Sequence, residues 1–462
     1  MDDDIEILDI FEEKKEIAPV QKVSRVENKS NDEEKPKKTK KKVKKTAFQA
    51  LFCLISALFI LGCIVFYGYR FIKYYRIYNP KVESGDGSIL LAKDIVGKTE
   101  FDDEAINGLF SSSGNYIYKG NVDNNYIKFN NMLWRIVRIN ADNSLDIILD
   151  DYITLLPWNK EADEFKKSEI YKYLNNEFLS NLNIDLLAKT SFCEDGIDDL
   201  TKITCTKQDS DSYVKLLDVS NFLNSVKNSK SYLVSDEEIF WLSDYGNEKA
   251  WHTNGTSVSQ SDANTFYEIR PVVRLKSTTF YSKGEGSKSS PFEIDKEGSL
   301  QLGSRVILGE DKWIVYDTTN DIKLIKEDLI EKQLDFDKEN NSYNNSSLME
   351  YLNDTYLNSL SYKDQLVETT WYTGTYKNSI SDIKSDSIKK KVGIPNLLDL
   401  KFDSSIKAYF TSTGKEDRIL VYENPLRPSK VTTYRSIRPC IAISKETASK
   451  LVYKDGFYKV GE

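Results

Sequence analysis

The sequence has very little histidine and cysteine. Among 462 residues there is one histidine, His252, and there are five cysteines. A Ser–His–Asp triad, a histidine general base and a zinc site with several histidine ligands all need imidazole, so none of these chemistries is expected. The sequence also lacks a Cys-x-x-Cys motif, which argues against a thiol redox catalyst. It has no basic patch with interleaved aromatic residues, so we expect no nucleic-acid partner.

Aromatic residues, in contrast, are plentiful. The chain contains 28 Tyr, 21 Phe and 6 Trp and is 40% hydrophobic, which argues against disorder over most of its length. At roughly 100–200 residues per domain, its length predicts two or three domains. Charge is concentrated near the N-terminus, with eight acids in residues 1–16 and eight lysines in residues 35–45. Such blocks predict a solvated tail over residues 1–46.

One long apolar segment follows the tail. Residues 47–69 contain no charged side chain, and about 20 apolar residues cross a membrane as a helix. A buried globular helix and a cleaved signal peptide are the alternatives, but the run is long and begins well inside the chain. Eight lysines precede it, and three basic residues follow it in residues 70–76. This bias predicts a single-pass protein of the cell membrane with a cytoplasmic N-terminus and an extracellular C-terminus.

The region after the apolar segment contains an internal repeat. Residues 168–182 match residues 346–360 without a gap, with leucines at helical spacing in both copies. Strand-like segments around Trp134 and Trp313 precede the two copies, and the similar triplets Ile269-Arg270-Pro271 and Ile437-Arg438-Pro439 follow them. We therefore predict two copies of one α+β unit, near residues 120–280 and 301–445.

These features predict an α+β fold class and a linear domain order. The predicted order is a cytoplasmic, largely disordered tail (1–46), a transmembrane helix (47–69), a stalk and lead-in (70–119), and two extracellular repeat domains (120–295 and 296–462). The Gly-, Ser- and Pro-rich residues 284–291 lie at the join between the two copies.

Four stretches resemble a family of membrane-anchored surface proteins from low-GC Gram-positive bacteria. The stretches are residues 116–126, 128–140, 269–276 and 284–292. The family's domain has no known function, and its pattern is similar to the C-type-lectin-like fold in the branch shared with formylglycine-generating and sulfatase-modifying enzymes. The resemblance covers most of residues 88–295 and, more faintly, residues 301–445. It implies two tandem C-type-lectin-like extracellular domains.

The chain departs from both functional branches of that fold. Lectin calcium sites there use a Glu-Pro-Asn or Gln-Pro-Asp loop with a Trp-Asn-Asp strand, whereas this chain has only Glu423-Asn424-Pro425. The enzymes use a reactive cysteine pair late in the domain, where this chain has only Cys440. We therefore expect neither activity, no catalytic residues and no cofactor. Calcium remains an alternative to simple solvation for the acids Asp150, Asp151, Asp195, Asp198 and Asp199, although their spacing is not that of an EF-hand.

Two cysteines are candidates for a disulfide. Cys193 and Cys205 lie in the predicted extracellular region and flank a polar segment. An oxidising compartment favours a bond between them, and two free thiols are the alternative. Cys440, in an apolar strand, is predicted to be a buried core residue.

Four residues are candidates for ligand contact. Trp251 and His252 lie in a polar segment that we interpret as a loop, where an exposed Trp would contact a ligand. Arg270 and Arg438 start the last strand of each copy. Each is expected either to pair with a carboxylate or to contact an anionic ligand. Trp134 and Trp313 lie in apolar strands, which favours core packing over a sugar-stacking role.

These observations favour a surface-anchored, non-enzymatic binding protein. The expected partners are the membrane and either a cell-wall glycan or another surface protein. One alternative is a scaffold or signalling protein whose residues 1–16 bind a cytoplasmic partner. Another is an envelope-polymer hydrolase, which would need a cleft with two facing carboxylates, one of raised pKa.

Overall fold

The computed structural model describes residues 55–58, 60–68, 87–102, 104–161, 163–234, 238–294, 300–402 and 408–460. The chain forms two compact units, Met1–Tyr75 and Arg76–Glu462. In the first unit, residues 55–58 and 60–68 are helical. The other residues of the predicted span 47–69, the tail 1–46 with its proposed partner segment 1–16, and residues 70–86 of the predicted stalk lie outside the described residues.

The predicted fold class is wrong. The described part of the chain is mostly β-sheet with few and short helices, the longest of the second unit being the eight-residue Leu91–Lys98. Among the described residues, no helix has both the length and the apolar character needed to cross a membrane. The α+β assignment, with its membrane-spanning helix and two lectin-like domains, is therefore replaced by a predominantly β architecture. The first two leucines of each copy lie in helical turns, but the third, Leu182 or Leu360, has extended backbone at the end of the segment. The repeated helix is therefore only a short segment between strands.

We call residues 87–294 the N-terminal half of the second unit and residues 300–460 its C-terminal half. The N-terminal half contains strands β1 (Ile89–Leu90), β2 (Gly108–Ser112), β3 (Asn115–Lys119), β4 (Tyr126–Phe129), β5 (Met132–Ile139), β6 (Leu145–Leu149), β7 (Leu155–Pro157), β8 (Leu187–Ala188), β9 (Thr190–Cys193), β10 (Gln208–Ser212), β11 (Val214–Lys215), β12 (Trp241–Gly246), β13 (Lys249–Asn254), β14 (Ser257–Ser261), β15 (Phe266–Glu268), β16 (Val272–Leu275), β17 (Phe280–Tyr281) and β18 (Phe292–Glu293).

The C-terminal half contains strands β19 (Arg305–Leu308), β20 (Asp311–Asp317), β21 (Ile322–Lys326), β22 (Ile330–Leu334), β23 (Thr369–Tyr372), β24 (Ser387–Lys390), β25 (Val392–Gly393), β26 (Tyr409–Lys415), β27 (Arg418–Tyr422), β28 (Arg427–Ser429), β29 (Arg435–Ile437), β30 (Cys440–Ile443), β31 (Leu451–Lys454) and β32 (Phe457–Val460).

Short helices connect the strands. The α-helices of the two halves are α1 (Leu91–Lys98), α2 (Glu169–Tyr173), α3 (Val219–Ser225), α4 (Ser347–Tyr351), α5 (Leu357–Ser359) and α6 (Lys445–Ser449). Single π-helical turns follow α2 and α4, at Leu174–Phe178 and Leu352–Tyr356. The 3₁₀ turns are Phe165–Lys167, Leu179–Asn181, Ile184–Leu186, Leu200–Lys202, Tyr343–Asn345, Lys363–Gln365 and Ile380–Lys384.

The main sheets of the two halves follow the same pairing order. The shared path is β11-β16-β6-β5-β4-β18 in the N-terminal half and β25-β30-β21-β20-β19-β32 in the C-terminal half. The N-terminal sheet also contains β2, β3 and β8, and β31 pairs with β32 in the C-terminal sheet. Along the shared path, neighbouring strands are antiparallel except for β4 with β18 and β19 with β32, which are parallel. Each half also has a three-stranded sheet, β12-β13-β14 in the first and β26-β27-β28 within a larger sheet of the second.

The repeated helix is anchored in the same way in both halves. The hydroxyl of Ser168 accepts a hydrogen bond from the backbone N–H of Tyr171 at 3.1 Å, which caps α2. Ser346 caps α4 in the same way. One turn later, Asn175 hydrogen-bonds both backbone groups of Val214, which lies in the edge strand β11. Asn353 makes the same two bonds to Val392 in β25. The repeated Ser and Asn therefore fix the helix to the sheet.

The C-terminal sheet buries both of its faces. Along β20, Trp313 and Val315 point into a core made by the C-terminal half alone. The alternate residues Ile314 and Tyr316 join a second core that also contains the N-terminal half. This period of two is the side-chain alternation of a β-strand. One continuous apolar core therefore joins the two halves, and a cavity lies beside it.

Candidate binding cleft between the two halves

A well-formed cavity lies between the two halves. Its volume is about 590 Å³, within the range of roughly 300–1,000 Å³ found for small-molecule sites. The charged lining residues are Asp150, Asp151, Glu238, Arg270, Lys288, Arg305 and Lys401, and the aromatic ones are Tyr152, Tyr232 and Phe402. We call this cavity the cleft.

The loop that follows β6 forms one wall of the cleft. The backbone N–H of Leu149 donates to Pro271 O at 3.0 Å, and that of Asp150 donates to Leu133 O at 2.9 Å. The carboxylate of Asp150 lies 3.5 Å from Nη1 of buried Arg135 and 3.2 Å from Nζ of Lys288. Since both the backbone and the side chain are held, this wall is preformed.

Arg270 is the buried cation of the cleft. Only 2% of the residue is exposed. Its Nε donates to Leu149 O at 2.9 Å, and its Nη1 donates to Leu233 O. The nearest carboxylate oxygen recorded as an ion-pair partner, Oε2 of Glu238, lies 3.9 Å from Nη1. Among the described residues, no hydrogen bond is formed by the remaining Nη2. Arg270 lines the cleft, so we take Nη2 as the donor that is left for a ligand.

The C-terminal half contributes a second buried cation, Lys401. It is 6% exposed, and its Nζ donates to the hydroxyl of Tyr152 at 2.8 Å. The same Nζ lies 4.6 Å from the ring centre of Tyr152 and 4.7 Å from that of Tyr422. The Lys401 backbone N–H donates to Ile153 O at 2.8 Å. Lys401 therefore fixes the C-terminal half to the loop after β6 at the floor of the cleft.

Glu268 lies behind Arg270 but does not line the cleft. Burial is the main cause that raises its pKa to about 8, and the neighbouring Glu238 carboxylate adds to the shift against the opposing effect of Arg270. Its Oε1 accepts a hydrogen bond from Asn424 of the C-terminal half at 2.6 Å, while Oε2 is buried without a partner in the described structure. At neutral pH Glu268 is therefore mainly protonated and neutralises little of the Arg270 charge.

Arg438 occupies the corresponding position in the C-terminal half. Its Nε donates to Lys326 O at 2.9 Å, as that of Arg270 does to Leu149 O. Arg438 is 0% exposed, and both Nη atoms are buried without a hydrogen-bond partner among the described residues. It does not line the cleft. Of the two predicted arginines, therefore, only Arg270 reaches a space that a ligand can enter.

Trp251 and His252 are not in a loop, which corrects the sequence interpretation. Both lie in β13, and they are 7% and 6% exposed. The indole of Trp251 donates to Ile197 O at 2.9 Å. His252 Nε2 lies 2.9 Å from the hydroxyl of Ser261, and burial lowers the pKa of its imidazole. Both side chains pack inside the N-terminal half, away from the cleft. Trp134 and Trp313 are fully buried, and Cys440 is a buried free thiol.

The predicted disulfide between Cys193 and Cys205 is confirmed. It encloses a loop in which Asp195 accepts backbone hydrogen bonds from Thr206 and Lys207, and these bonds lower the pKa of its carboxyl. Among the described residues, the one cluster with metal-ligand spacing is Cys193, Asp195 and Cys205. Because both sulfurs are in the disulfide, they are not thiolate donors to a metal.

The other candidate calcium ligands are engaged elsewhere. Asp150 pairs with Arg135 and Lys288, Asp198 accepts from the backbone N–H of Asn247 at 2.7 Å, and Asp199 accepts from that of Thr201 at 2.9 Å. Within the described residues, none of them joins a group of three or more convergent ligands. The structure therefore gives no support to a calcium site built from these aspartates.

Sequence reasoning missed several residues of the cleft. Lys401, Tyr152 and Glu268 carry no local motif, and Lys401 lies 249 positions from its partner Tyr152. The available signal was the repeat itself, because duplicated units that share a core create a junction where ligands often bind.

Comparison with known proteins identifies no relative. No protein-family model, no curated protein and no solved structure matches the chain. The resemblance to surface proteins of the lectin-like type therefore gains no support from these comparisons.

Proposed function

We propose that this chain is a non-enzymatic binding protein of the cell envelope that takes a small polar part of a cell-wall glycan into the cleft. The observation that carries the proposal is the cleft itself, which has about 590 Å³ of space and lining residues from both halves. Tyr152, Tyr232 and Phe402 offer apolar surface, and Arg270 offers a fixed donor. This mixture of aromatic surface and a few oriented polar groups is typical of small-molecule sites.

The arrangement of carboxyl groups favours binding over hydrolysis. A glycosidase of the carboxylate type needs an acid of raised pKa that faces the substrate together with a second carboxylate. Among the described residues, the carboxyl groups with a raised pKa are Asp244, Glu268 and Asp399, and none of them lines the cleft. The free oxygen of Glu268 is buried. A proton on Glu268 therefore has no direct path to a ligand in the cleft.

The proposal includes a compartment outside the cytoplasm. The Cys193–Cys205 disulfide supports it, because structural disulfides persist mainly in oxidising compartments.

The test is co-sedimentation of the purified full-length protein with isolated cell-wall sacculi, with and without calcium, followed by a glycan array. The variant Val234→Trp introduces an indole at the edge of the cleft. Its matched control is Val258→Trp, at a similarly half-buried valine in β14, away from the cleft. We expect saturable binding that Val234→Trp abolishes and Val258→Trp retains.

Two results would overturn the proposal. One is the absence of binding to both sacculi and glycans, which would redirect the search to protein partners on the cell surface. The other is full binding by Val234→Trp, which would move the binding site away from the cleft.

A further inference from the structure

We propose that the ligand of the cleft carries an oxyanion, a carboxylate or a phosphate, and that Nη2 of Arg270 binds it. The inference rests on the proposed function, because it assigns the ligand class of the same cleft. It adds what the cavity alone does not give, namely the charge of the ligand and the atom that recognises it.

The first step of the argument is the fixed geometry of the guanidinium. A guanidinium has five N–H donors in one plane. In Arg270, Nε and Nη1 donate to the carbonyls of Leu149 and Leu233, which set the orientation of that plane. The two N–H groups of Nη2 remain, and Arg270 lines the cleft. Because the donor is already oriented, a ligand oxygen that reaches it does not have to order the side chain.

The second step is the charge that remains on Arg270. A buried cation is costly unless an anion compensates it. The Glu238 carboxylate lies 3.9 Å from Nη1, beyond hydrogen-bond distance, and its side chain is 40% exposed. Two backbone carbonyls supply dipoles but no net charge. An anionic ligand would therefore satisfy both the free N–H groups and the charge, whereas a neutral hydroxyl would satisfy only the former.

The third step is the balance of charge around the cleft. Four cationic side chains line it, Arg270, Lys288, Arg305 and Lys401, against three carboxylates, Asp150, Asp151 and Glu238. Glu268, immediately behind Arg270, is held mainly protonated at neutral pH by its burial. Arg270 and Lys401, the two buried cations, come from opposite halves. Because Lys288 pairs with Asp150 and Arg305 pairs with Glu327, it is the buried positive charge of Arg270 that favours an anion in the space between the halves.

The experiment compares matched probes on the full-length protein by isothermal titration calorimetry. N-acetylmuramic acid carries a carboxylate, and its methyl ester and N-acetylglucosamine do not. Glycerol phosphate tests the phosphate as the alternative source of the oxyanion. We expect one of the two anionic probes to bind at least tenfold more tightly than the neutral sugars, since a hydrogen bond to a charged group contributes about 1.5–3 kcal/mol.

The variant Arg270→Gln is expected to remove that preference, with a loss of roughly 10- to 100-fold for the anionic probe. Because this variant could fail to fold, the comparison of acid and ester on the unaltered protein stands as an independent test. Arg418→Gln is the control, because Arg418 is an exposed arginine that does not line the cleft. It should leave the preference for the anionic probe unchanged.

Equal binding of the acid and its methyl ester, with glycerol phosphate no better, would overturn the anion inference. If Val234→Trp still blocked the equal binding of the acid and its methyl ester, the proposed function would stand, and only the anion inference would fail. If no probe bound and sacculi did not bind either, both would fail.

Discussion

Arg270 and Arg438 lie two residues before β16 and β30, which are corresponding strands of the two main sheets, and make the same first contact. In each, Nε donates at 2.9 Å to the carbonyl of the residue that ends a neighbouring strand, Leu149 in β6 and Lys326 in β21. Beyond that contact they differ, because Arg270 lines the cleft, whereas both Nη atoms of Arg438 are buried without partners in the described structure. The repeat thus reproduces the hydrogen bond from the arginine Nε to a backbone carbonyl. The surroundings in each half then decide whether the arginine can also bind a ligand.

The two halves also differ in their apolar cores. The C-terminal half has a core of its own in addition to the core that it shares with the N-terminal half, whereas the buried apolar residues of the N-terminal half belong to the shared core alone. The N-terminal half also has the disulfide. The comparison therefore predicts that equivalent substitutions in the two halves have different consequences.

The largest effect is expected from the two equivalent tryptophans. Trp134→Ala and Trp313→Ala each remove a fully buried indole, so each should lower the free energy of unfolding by about 3–5 kcal/mol. Because one core spans both halves, each variant should shift a single common transition in urea, followed by far-UV circular dichroism and by tyrosine fluorescence. Two separate transitions, with only one displaced by each variant, would show that the halves unfold independently.

The next largest effect on stability is expected from the disulfide, which cross-links residues of the N-terminal half alone. Replacing both Cys193 and Cys205 with Ser removes a cross-link twelve residues apart, which stabilises by roughly 3 kcal/mol in the chain-entropy model. Thermal unfolding with and without dithiothreitol measures the effect. The reductant should destabilise the unaltered protein and leave the double variant unchanged. A double variant as stable as the parent would remove this difference between the halves.

The arginine pair should respond with opposite signs. Arg270→Met leaves the carbonyls of Leu149 and Leu233 without their donor, so it should lower stability by about 1–3 kcal/mol. Arg438→Met removes a fully buried charge with two unpartnered amino groups, so it should raise stability by about 1–4 kcal/mol. Chemical denaturation of both variants at the same pH measures these changes in stability. A loss of stability in both would mean that the Arg438 charge is compensated after all.

A pH dependence of stability belongs to Glu268. Its pKa is about 8 in the folded protein against an ordinary value of 4.5. Between these values the folded state keeps a proton that the unfolded state has lost, so stability falls as pH rises through this window. Glu268→Gln should flatten that fall, with the difference from the parent growing from pH 5 towards pH 8. The exposed Glu285→Gln serves as control and should follow the parent at every pH.

Several local features of the structure could be predicted from sequence because their causes are local. The spacing of Cys193 and Cys205, the apolar setting of Cys440 and the strands around Trp134 and Trp313 each carry their own signal, and each prediction is confirmed. The error at Trp251 and His252 has a local cause too. Gly255 and Thr256 form the turn between β13 and β14, and the polar residues around this turn favour a loop over the strand that precedes it.

The fold class and the cleft could not be predicted in this way. Most strands of the chain are two to five residues long, too short to give a clear period of two, whereas the leucines of the repeat gave a clear helical period. The cleft depends on how the halves pack, as in the hydrogen bond from Thr154 to Leu397 O, which joins residues 243 positions apart. Neither residue carries a pattern that points to the other.

The two-sided burial of the C-terminal sheet limits how this chain can be divided. Ile314, Tyr316, Ile325 and Cys440 face the shared core. Expressed without residues 87–294, the C-terminal half would present this face to water as a continuous apolar surface with a reactive thiol in it, and such surfaces associate with one another. Although it arose from a repeating pattern, the C-terminal half is therefore not a transferable module, and any shorter relative that carries one copy would need a second chain to cover the same face.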